Sequence, residues 1–335
     1  MASIAIVQTA FIGDMVLATP LLEAARVSFP GDRIVCVLRK GCENIVGNNP
    51  SVDEVVVWDK HGADSGIGGI RRIGRALRNL RVHTALIPHR SLRSALALYL
   101  SGAENRIGFA KGGGSLFHTV RVPYRRGIHE VERNLMLAKA AGWKSEGFRP
   151  ALFPDDHDRA AVDGEVGDLG PYCVFAPGSV WKTKMWPAEF YAKTGAEFAR
   201  RGMRVVLSGG AGDYSLCALL ADEISGAVTA CGSLTLRQSA EMYRRAEFVL
   251  TGDTAPQHLA AAMDARVFSI FGPTVRDFGF WPYTDRGVII EEDVDCRPCG
   301  VHGHEECPEK HHFCLRSITA EKVVNIIDDH LGTDR

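Results

Sequence analysis

Short apolar runs alternate with amphipathic stretches along this 335-residue sequence, and this alternation restricts its fold more than any other feature. The strand-like runs are SIAIV, RIVCVL, VDEVVVW, HTALIP, YCVFAPG, RVVLSGG, EFVLTGD and RVFSIFG. Helical periodicity covers residues 16–28, 68–80, 130–141, 187–201, 214–224, 236–245 and 255–263. Because strands that alternate with helices form parallel sheets through right-handed crossovers, the sequence predicts an α/β fold.

The length favours two domains, since single cores seldom grow beyond roughly 250–300 residues. A polar, proline-bearing stretch at residues 149–172 is the predicted seam. The two halves also share a local pattern, because in both IGDMVLATP and TGDTAPQHL a predicted strand is followed by Gly-Asp and then by a predicted helix. We therefore expect two doubly wound domains, residues 1–160 and 161–318, facing across a cleft. A last helix within residues 319–335, capped by Thr319, is expected to pack back on the first domain.

Charge is unevenly distributed along the chain. The formal net charge of −1 gives no general attraction to nucleic acid or membrane. Residues 61–130, however, hold twelve Lys or Arg against three Asp or Glu, a local charge of +9, which leaves −10 for the rest. This asymmetry favours an anionic partner for the first half, although a solvated helix face around Arg71–Arg81 explains it equally well.

The beginning of the chain and its cysteines indicate a cytoplasmic protein. The first residues lack a basic segment, and Gln8 and Gly13-Asp14 interrupt the apolar run, so no signal peptide is predicted. No run reaches the roughly 18 apolar residues of a membrane span. The nine cysteines are odd in number and five lie outside any cluster, which favours free thiols in a reducing compartment.

The loop after the first strand, in AFIGDMVLATPLLEAA, holds a carboxylate where nucleotide-binding folds place a glycine-rich phosphate loop. It contains a single glycine, Gly13, followed by Asp14. A carboxylate at a helix N-terminus competes with phosphate for the same amides. Asp14 is therefore either a cap of the following helix or a group with a chemical role.

The second half carries a segment suited to phosphate, PGSVWKTKMWP at residues 177–187. Pro177-Gly178 makes a turn, Ser179 supplies a hydroxyl, and Lys182 and Lys184 lie over the loop. Turn amides, a hydroxyl and a lysine can bind phosphate without a P-loop. Two solvated lysines before a helix are the alternative.

A second such segment is EFVLTGDTAPQHLAAAM, residues 247–263. Asp253 or Thr254 can cap the helix, whose first turn favours an anion. Alternatively Asp253 is only a cap, and His258 is a packed core histidine. With the turn in VFSIFGPT, three turns at consecutive strand ends predict a nucleotide-diphosphate pocket.

Taken together, GDMVLATPLL, PGSVWKTKMWP, GDTAPQHLAAA and FGPT resemble glycosyltransferase family 9, particularly the lipopolysaccharide heptosyltransferases of the heptosyltransferase II group. The likeness covers nearly the whole chain in order and spacing. It implies a GT-B fold with two Rossmann-like domains, an ADP-heptose donor bound mainly by the C-terminal domain, and an inner-core lipopolysaccharide acceptor bound by the N-terminal one. It also implies an inverting transfer with Asp14 as general base.

The same resemblance assigns donor-binding roles in the second half. Lys184 matches a lysine that contacts the diphosphate, and Ser179 a phosphate-contacting hydroxyl. The other implied donor-binding residues are Thr254 and Ala255 beside the phosphates, Asp253 near the donor sugar or loop amides, His258, Leu234 against adenine and Asp213 near the ribose. No metal cofactor is required if lysine and helix amides neutralise the phosphates. The sequence departs from the family at Met185, usually basic, and at Ala255, usually glycine.

The acceptor segment is GIHEVERNLML, in which His129 and Arg133 lie four residues apart on one helix face. The resemblance implies that both residues contact an acid sugar or phosphate of the acceptor. This role suits arginine, whose guanidinium can donate two parallel hydrogen bonds to a carboxylate or phosphate. A helix start with a surface ion pair is the alternative. An anionic glycolipid acceptor would bring the protein to the inner face of the inner membrane as a peripheral contact.

CRPCGVHGHEECPEKHHFC brings four cysteines together in sequence, Cys296, Cys299, Cys307 and Cys314. The first pair has metal-ligand spacing, so a structural zinc is one interpretation, and reduced thiols in a packed loop are the other.

Other functions are also considered. A family 9 transferase with another nucleotide sugar, or a sugar-nucleotide-binding or epimerase protein of the same fold, are the alternatives. A dinucleotide oxidoreductase is disfavoured because no G-x-G-x-x-G follows the first strand, and nucleic-acid binding because the cysteine cluster has few aromatic or basic residues.

Overall fold

The computed structural model describes residues 3–167 and 170–332. The chain divides into two compact units, Met1–Phe153 and Pro154–Arg335. The described part of each unit contains one six-stranded parallel sheet with helices between its strands. The predicted α/β class, with two Rossmann-like units as in GT-B enzymes, is confirmed.

The sheet of the first unit has the order β3-β2-β1-β4-β5-β6. Its strands are β1 (Ser3–Gln8), β2 (Arg33–Arg39), β3 (Glu54–Trp58), β4 (Val82–Ile87), β5 (Asn105–Phe109) and β6 (Val120–Val122). Its helices are α1 (Ile12–Ser28), α2 (Gly66–Asn79), α3 (Leu92–Ser101) and α4 (Glu130–Ala140). All six residues of β1 are buried, as expected for a central strand covered on both faces.

The second unit repeats this order as β9-β8-β7-β10-β11-β12. Its strands are β7 (Tyr172–Ala176), β8 (Arg204–Leu207), β9 (Val228–Thr229), β10 (Val249–Gly252), β11 (Val267–Phe271) and β12 (Gly287–Glu291). Its helices are α5 (Asp156–Val166), α6 (Ala188–Arg200), α7 (Tyr214–Glu223), α8 (Leu236–Arg245), α9 (Ala255–Ala262), α10 (Phe313–Arg316) and α11 (Ala320–Gly332). In both units the strand order switches sides at the first strand. The next two strands lie on one side of β1 or β7, and the chain then continues on the other side with β4 or β10. Ligands of open α/β sheets bind at the carboxyl ends of strands at such a point.

The chain divides within the predicted seam at residues 149–172. The division falls after Phe153 rather than after residue 160, because α5 belongs to the second unit. The side chain of Asp155 caps α5, and Arg237 on α8 forms an ion pair with the buried Asp158. These contacts tie α5 to α8, so residues 154–172 of the predicted seam belong to the second unit.

The last helix has the predicted cap. Thr319 does cap α11, since its Oγ1 accepts from the backbone N–H of Lys322 at 3.2 Å. The helix belongs to the second unit, and packing against the first unit stays a prediction. Val323, Val324 and Ile327 are part of the hydrophobic core of that unit, which fixes α11 there through its apolar face.

Candidate functional site

The predicted phosphate-binding segments of the second unit lie at the carboxyl ends of its two central strands. β7 leads through Pro177 and Ser179 into a short 3₁₀ helix, Lys182–Lys184. Its neighbour β10 leads through Asp253 into α9. β10 and this lysine-bearing loop approach closely, since a Cβ on Gly252 would lie 2.9 Å from the main-chain oxygen of Lys184. Glycine at position 252 therefore lets the lysine reach the start of α9.

Lys184 and Asp253 form a buried ion pair at this edge. The ammonium Nζ donates to Asp253 Oδ2 at 2.6 Å and to the main-chain oxygen of Asp253 at 3.1 Å. Thr274 Oγ1, after β11, donates to the same carboxylate oxygen at 2.7 Å. Burial favours a raised pKa for Asp253, but Lys184 and Thr274 outweigh it and hold the pKa below its usual value. The pair therefore presents a fixed, charged lysine beside the N-terminus of α9.

The other oxygen of Asp253 is also bound by protein. Gln257 Nε2 donates to Asp253 Oδ1 at 2.8 Å and to the main-chain oxygen of Phe280 at 3.1 Å. The Asp253 carboxylate thus accepts hydrogen bonds from three side chains. The sequence analysis predicted Asp253 as a sugar ligand or a helix cap and did not predict these bonds. Contact between Asp253 and a donor sugar stays a prediction.

Thr254 and Ala255 lie where the phosphate cradle was predicted. Thr254 occupies the N-cap position of α9, and Ala255 is the first helical residue. His258, one turn further, is buried, and its Nδ1 has no hydrogen-bond partner among the residues that the structure describes. Burial lowers the pKa of His258 to about 4 despite the nearby Asp253, so the imidazole is neutral at physiological pH.

Ser179 and Asp213 lie on the loops after β7 and β8. Ser179 Oγ accepts from the backbone N–H of Trp181 at 3.1 Å, which shapes the turn before the lysines. Asp213 Oδ2 accepts from the backbone N–H of Gly210 at 2.9 Å. A Cβ on Gly178 would collide with the Asp213 carboxylate, so the two loops touch at this glycine. Asp213 therefore lies beside the Pro177-Gly178 turn, whereas Leu234 is half-buried just before the N-cap of α8.

In the first unit, Asp14 is the third residue of α1 rather than its N-cap. Phe11 holds the N-cap position, and its backbone N–H donates to Asp14 Oδ2 at 3.2 Å. The side chain is only half-buried, so the carboxylate combines a helix-terminal bond with access to a ligand. This position, in the first turn of the helix that follows β1, lies at the point where the strand order of the sheet switches sides.

His129 and Arg133 are both buried, contrary to a surface ion pair. His129 is the N-cap of α4, and its Nδ1 accepts from the backbone N–H of Val131 at 3.1 Å. Arg133 forms an ion pair with Glu130, and its Nε donates to the main-chain oxygen of Arg125 at 2.8 Å. The structure thus gives both residues a part in shaping this segment, and acceptor contact stays a prediction.

Sequence reasoning missed two neighbours of these residues. Burial raises the pKa of Glu130 to about 7, against the opposing effect of Arg133, and the charge of Asp14 adds to the rise. The guanidinium of Arg133 lies 4.5 Å from the centre of the Tyr124 ring, and that of Arg90 lies 4.2 Å from it. The predicted base Asp14 is therefore among the charges that act on Glu130. The charged motif GIHEVER gave a signal for Glu130, whereas nothing in the sequence singled out Tyr124.

The four clustered cysteines share one region of the second unit. Burial raises the pKa of Cys299, and the neighbouring thiols of Cys296 and Cys307 add to the rise. Zinc bound to four thiolates requires sulfur atoms about 3.8 Å apart. Within residues 3–167 and 170–332, no three of these sulfurs lie within 4.8 Å of one another. The structure does not assemble the predicted zinc site, and bound zinc stays a prediction for metal analysis of the purified protein.

A different group meets that distance criterion in the described part of the chain, namely Asp155, His157 and Asp158. Asp155 and Asp158 form the capping box of α5. Arg237 also forms ion pairs with both carboxylates. Helix capping and charge pairing therefore explain this group without a metal.

None of the helices in residues 3–167 and 170–332 combines the length and apolar character needed to cross a membrane.

The architecture is that of GT-B glycosyltransferases. The structure of ADP-heptose LPS heptosyltransferase II from Escherichia coli superimposes with a TM-score of 0.82 at 22% identity, covering 100% of this chain and 99% of that one. Lipopolysaccharide heptosyltransferase 2 of Salmonella typhimurium is 26% identical over 293 residues, covering 82% of this chain and 84% of the relative. Lipopolysaccharide heptosyltransferase 1 of Pseudomonas aeruginosa is 28% identical over 313 residues, covering 88% and 85%.

The sequence profile described as glycosyltransferase family 9 (heptosyltransferase) matches residues 70–311. The chain therefore belongs to glycosyltransferase family 9 and is a heptosyl-transferring enzyme. The resemblance drawn from the motifs is confirmed.

Proposed function

We propose that the protein transfers heptose from ADP-heptose to the inner core of lipopolysaccharide, with inversion at the anomeric carbon and Asp14 as general base. The names of the relatives support this donor and acceptor. The observation that carries the proposal is the placement of Asp14 and Lys184. Each lies at the carboxyl ends of the central strands of its own unit, where the strand order switches sides.

The second unit would bind the ADP-heptose. Lys184, fixed by Asp253, and the N-terminus of α9 supply positive charge beside Thr254 and Ala255. As the bond between the anomeric carbon and the phosphate oxygen breaks, negative charge develops on ADP, and fixed donors stabilise it without reorganising. Ser179 and Asp213, on adjacent loops, would contact phosphate and ribose.

The first unit would bind the acceptor. The acceptor's hydroxyl oxygen attacks the anomeric carbon from the face opposite ADP and forms the new glycosidic bond. The hydroxyl proton passes to the Asp14 carboxylate. A single displacement of this kind inverts the anomeric configuration. General-base assistance contributes roughly 10²–10⁴-fold to the rate. The excess of basic residues in positions 61–130 favours an anionic acceptor at a membrane surface, with His129 and Arg133 in the acceptor region.

A family 9 transferase with another nucleotide sugar is the second candidate. Ala255 places a methyl group where the resemblance expects glycine, at the first residue of α9. Such a group at the phosphate edge changes which donor fits.

A transfer assay with ADP-heptose and truncated core acceptors tests the proposal. Asp14→Asn keeps an acceptor atom for the Phe11 N–H, so we expect normal ADP binding and a kcat lowered by roughly 10²–10⁴. Asp156→Asn is the matched control, because Asp156 is an exposed carboxylate in the first turn of α5. Full turnover by Asp14→Asn would exclude this base, and product with retained configuration by NMR would exclude the single displacement.

A further inference from the structure

A small cavity opens in the first unit at the carboxyl ends of β1, β2 and β3. Its volume is about 150 Å³, and its lining includes Thr9, Arg39, Trp58 and Lys60. Thr9 directly follows β1, five residues before Asp14. The cavity therefore lies at the same edge of the sheet as the proposed general base.

Lys60 is the buried charge of this cavity. Its ammonium donates to Thr9 Oγ1 and, at 3.1 Å, to Ser94 Oγ. It also lies 4.5 Å from the centre of the Trp58 ring. Thr9 and Ser94 contact each other at 3.0 Å, so the hydroxyls are positioned independently of the lysine. A buried ammonium thus lies on a prepared set of hydroxyls and an aromatic face.

Among the described residues, Lys60 has no ion-pair partner. Asp59, which also lines the cavity, accepts from Lys40 Nζ at 3.1 Å and from the backbone N–H of Gly62 at 3.0 Å. Arg93 adds further positive potential at Lys60. Because buried cations are ordinarily paired, this arrangement fits an anion supplied from outside the chain.

We propose that this cavity binds an anionic group of the acceptor, a phosphate or carboxylate oxygen, through Lys60 with Arg39 at the rim. This inference rests on the proposed function and assigns it a specificity determinant. The volume accommodates a single phosphate or carboxylate group. Binding the anion there would hold the acceptor at the edge that carries Asp14.

Kinetics of Lys60→Met test the proposal. Methionine keeps the packing against Trp58 and removes the charge, while Thr9 and Ser94 still bond each other. We expect KM for the anionic acceptor to rise roughly ten- to a hundredfold, the loss of one charge-assisted hydrogen bond, with KM for ADP-heptose unchanged. Lys139→Met, which removes an exposed charge on α4, is the control and should leave both values unchanged.

Two modified acceptors identify the group. If the group that binds Lys60 is a phosphate, the dephosphorylated acceptor should bind wild type and Lys60→Met equally. If the group is a carboxylate, the carboxyl-reduced acceptor should bind the two proteins equally. A loss in Lys60→Met that is the same for all three acceptors, or no loss for any, would overturn the proposal.

A binding measurement separates this proposal from the proposed function. Inorganic phosphate and acetate, titrated by calorimetry into wild type and Lys60→Met without any transfer reaction, probe the cavity directly. Binding to wild type that Lys60→Met abolishes supports the anion site even if no heptose is transferred. Equal binding by the two proteins contradicts it even if transfer is confirmed.

Discussion

Lys184 Nζ bonds both the carboxylate and the main-chain oxygen of Asp253, at 2.6 and 3.1 Å, although 69 residues separate the two in sequence. This bidentate contact joins the loop after β7 to the start of α9. It fixes the lysine before a ligand binds, so little reorganisation is needed when phosphate arrives.

Lys184→Ala should weaken ADP binding at least tenfold by calorimetry, because the fixed positive charge is lost. It should also lower the free energy of unfolding by about 3–5 kcal/mol, since Asp253 is left buried without its counter-charge. Lys182→Ala removes an exposed lysine of the same 3₁₀ helix and should change neither value appreciably. Wild-type ADP affinity in Lys184→Ala would contradict the donor site.

Gly178→Ala should reduce ADP affinity and lower the unfolding free energy by about 1 kcal/mol. The new methyl group collides with the Asp213 carboxylate and breaks its bond to the Gly210 N–H. Gly212→Ala is the matched control in the neighbouring loop, where a methyl group meets open space. If the two variants bind ADP alike, Asp213 does not help to form the donor pocket.

The acceptor KM should depend on pH through Lys60. Burial lowers the pKa of Lys60 to about 8, and Arg93 adds to the effect. A bound anion favours the protonated amine, so KM for the anionic acceptor should be flat below pH 8 and rise up to tenfold per pH unit above it.

The other charged or titratable groups near Lys60 are Arg39, Lys40, Asp59, His61, His89, Arg90 and Arg93. Burial and the charges of Lys60 and Arg90 lower the pKa of His89 to about 4, and the bond from Lys40 lowers the pKa of Asp59, so neither group changes charge between pH 8 and 9. Lys60→Met should therefore lose the rise in KM between pH 8 and 9, measured as initial rates at saturating donor. The same slope in wild type and variant would assign the dependence to another group.

Arg237→Met should destabilise the protein without changing ADP affinity. Arg237 and Asp158 form an ion pair in which both side chains are largely buried, so removing one partner costs about 3–5 kcal/mol. Adding Asp158→Asn should restore part of this in chemical denaturation. Arg159→Met breaks an exposed pair with Asp156 and an exposed bond to the main-chain oxygen of Pro154, and it should cost less than about 1 kcal/mol. Equal losses in the two single variants would show that the α5–α8 pair is not structural.

Local pattern determined much of this protein. The central strands, the helices that follow β1, β7 and β10, and the turns that lead to Asp14, Lys184 and Asp253 follow from short-range apolar periodicity and from glycine and proline at turns. Short or partly exposed elements gave no such signal. β9 has only two residues, both half-buried, and β12 has a single fully buried residue.

Tertiary structure decided which of these groups meet. Lys60 lies 51 residues from Thr9 and 34 from Ser94, and only the parallel sheet brings the three together. Burial of Arg133, the partners of Asp253 and the membership of α5 and α11 in the second unit likewise depend on contacts between distant segments. Periodicity reports which face of an element is apolar, whereas pairing between elements depends on packing and desolvation in the assembled fold.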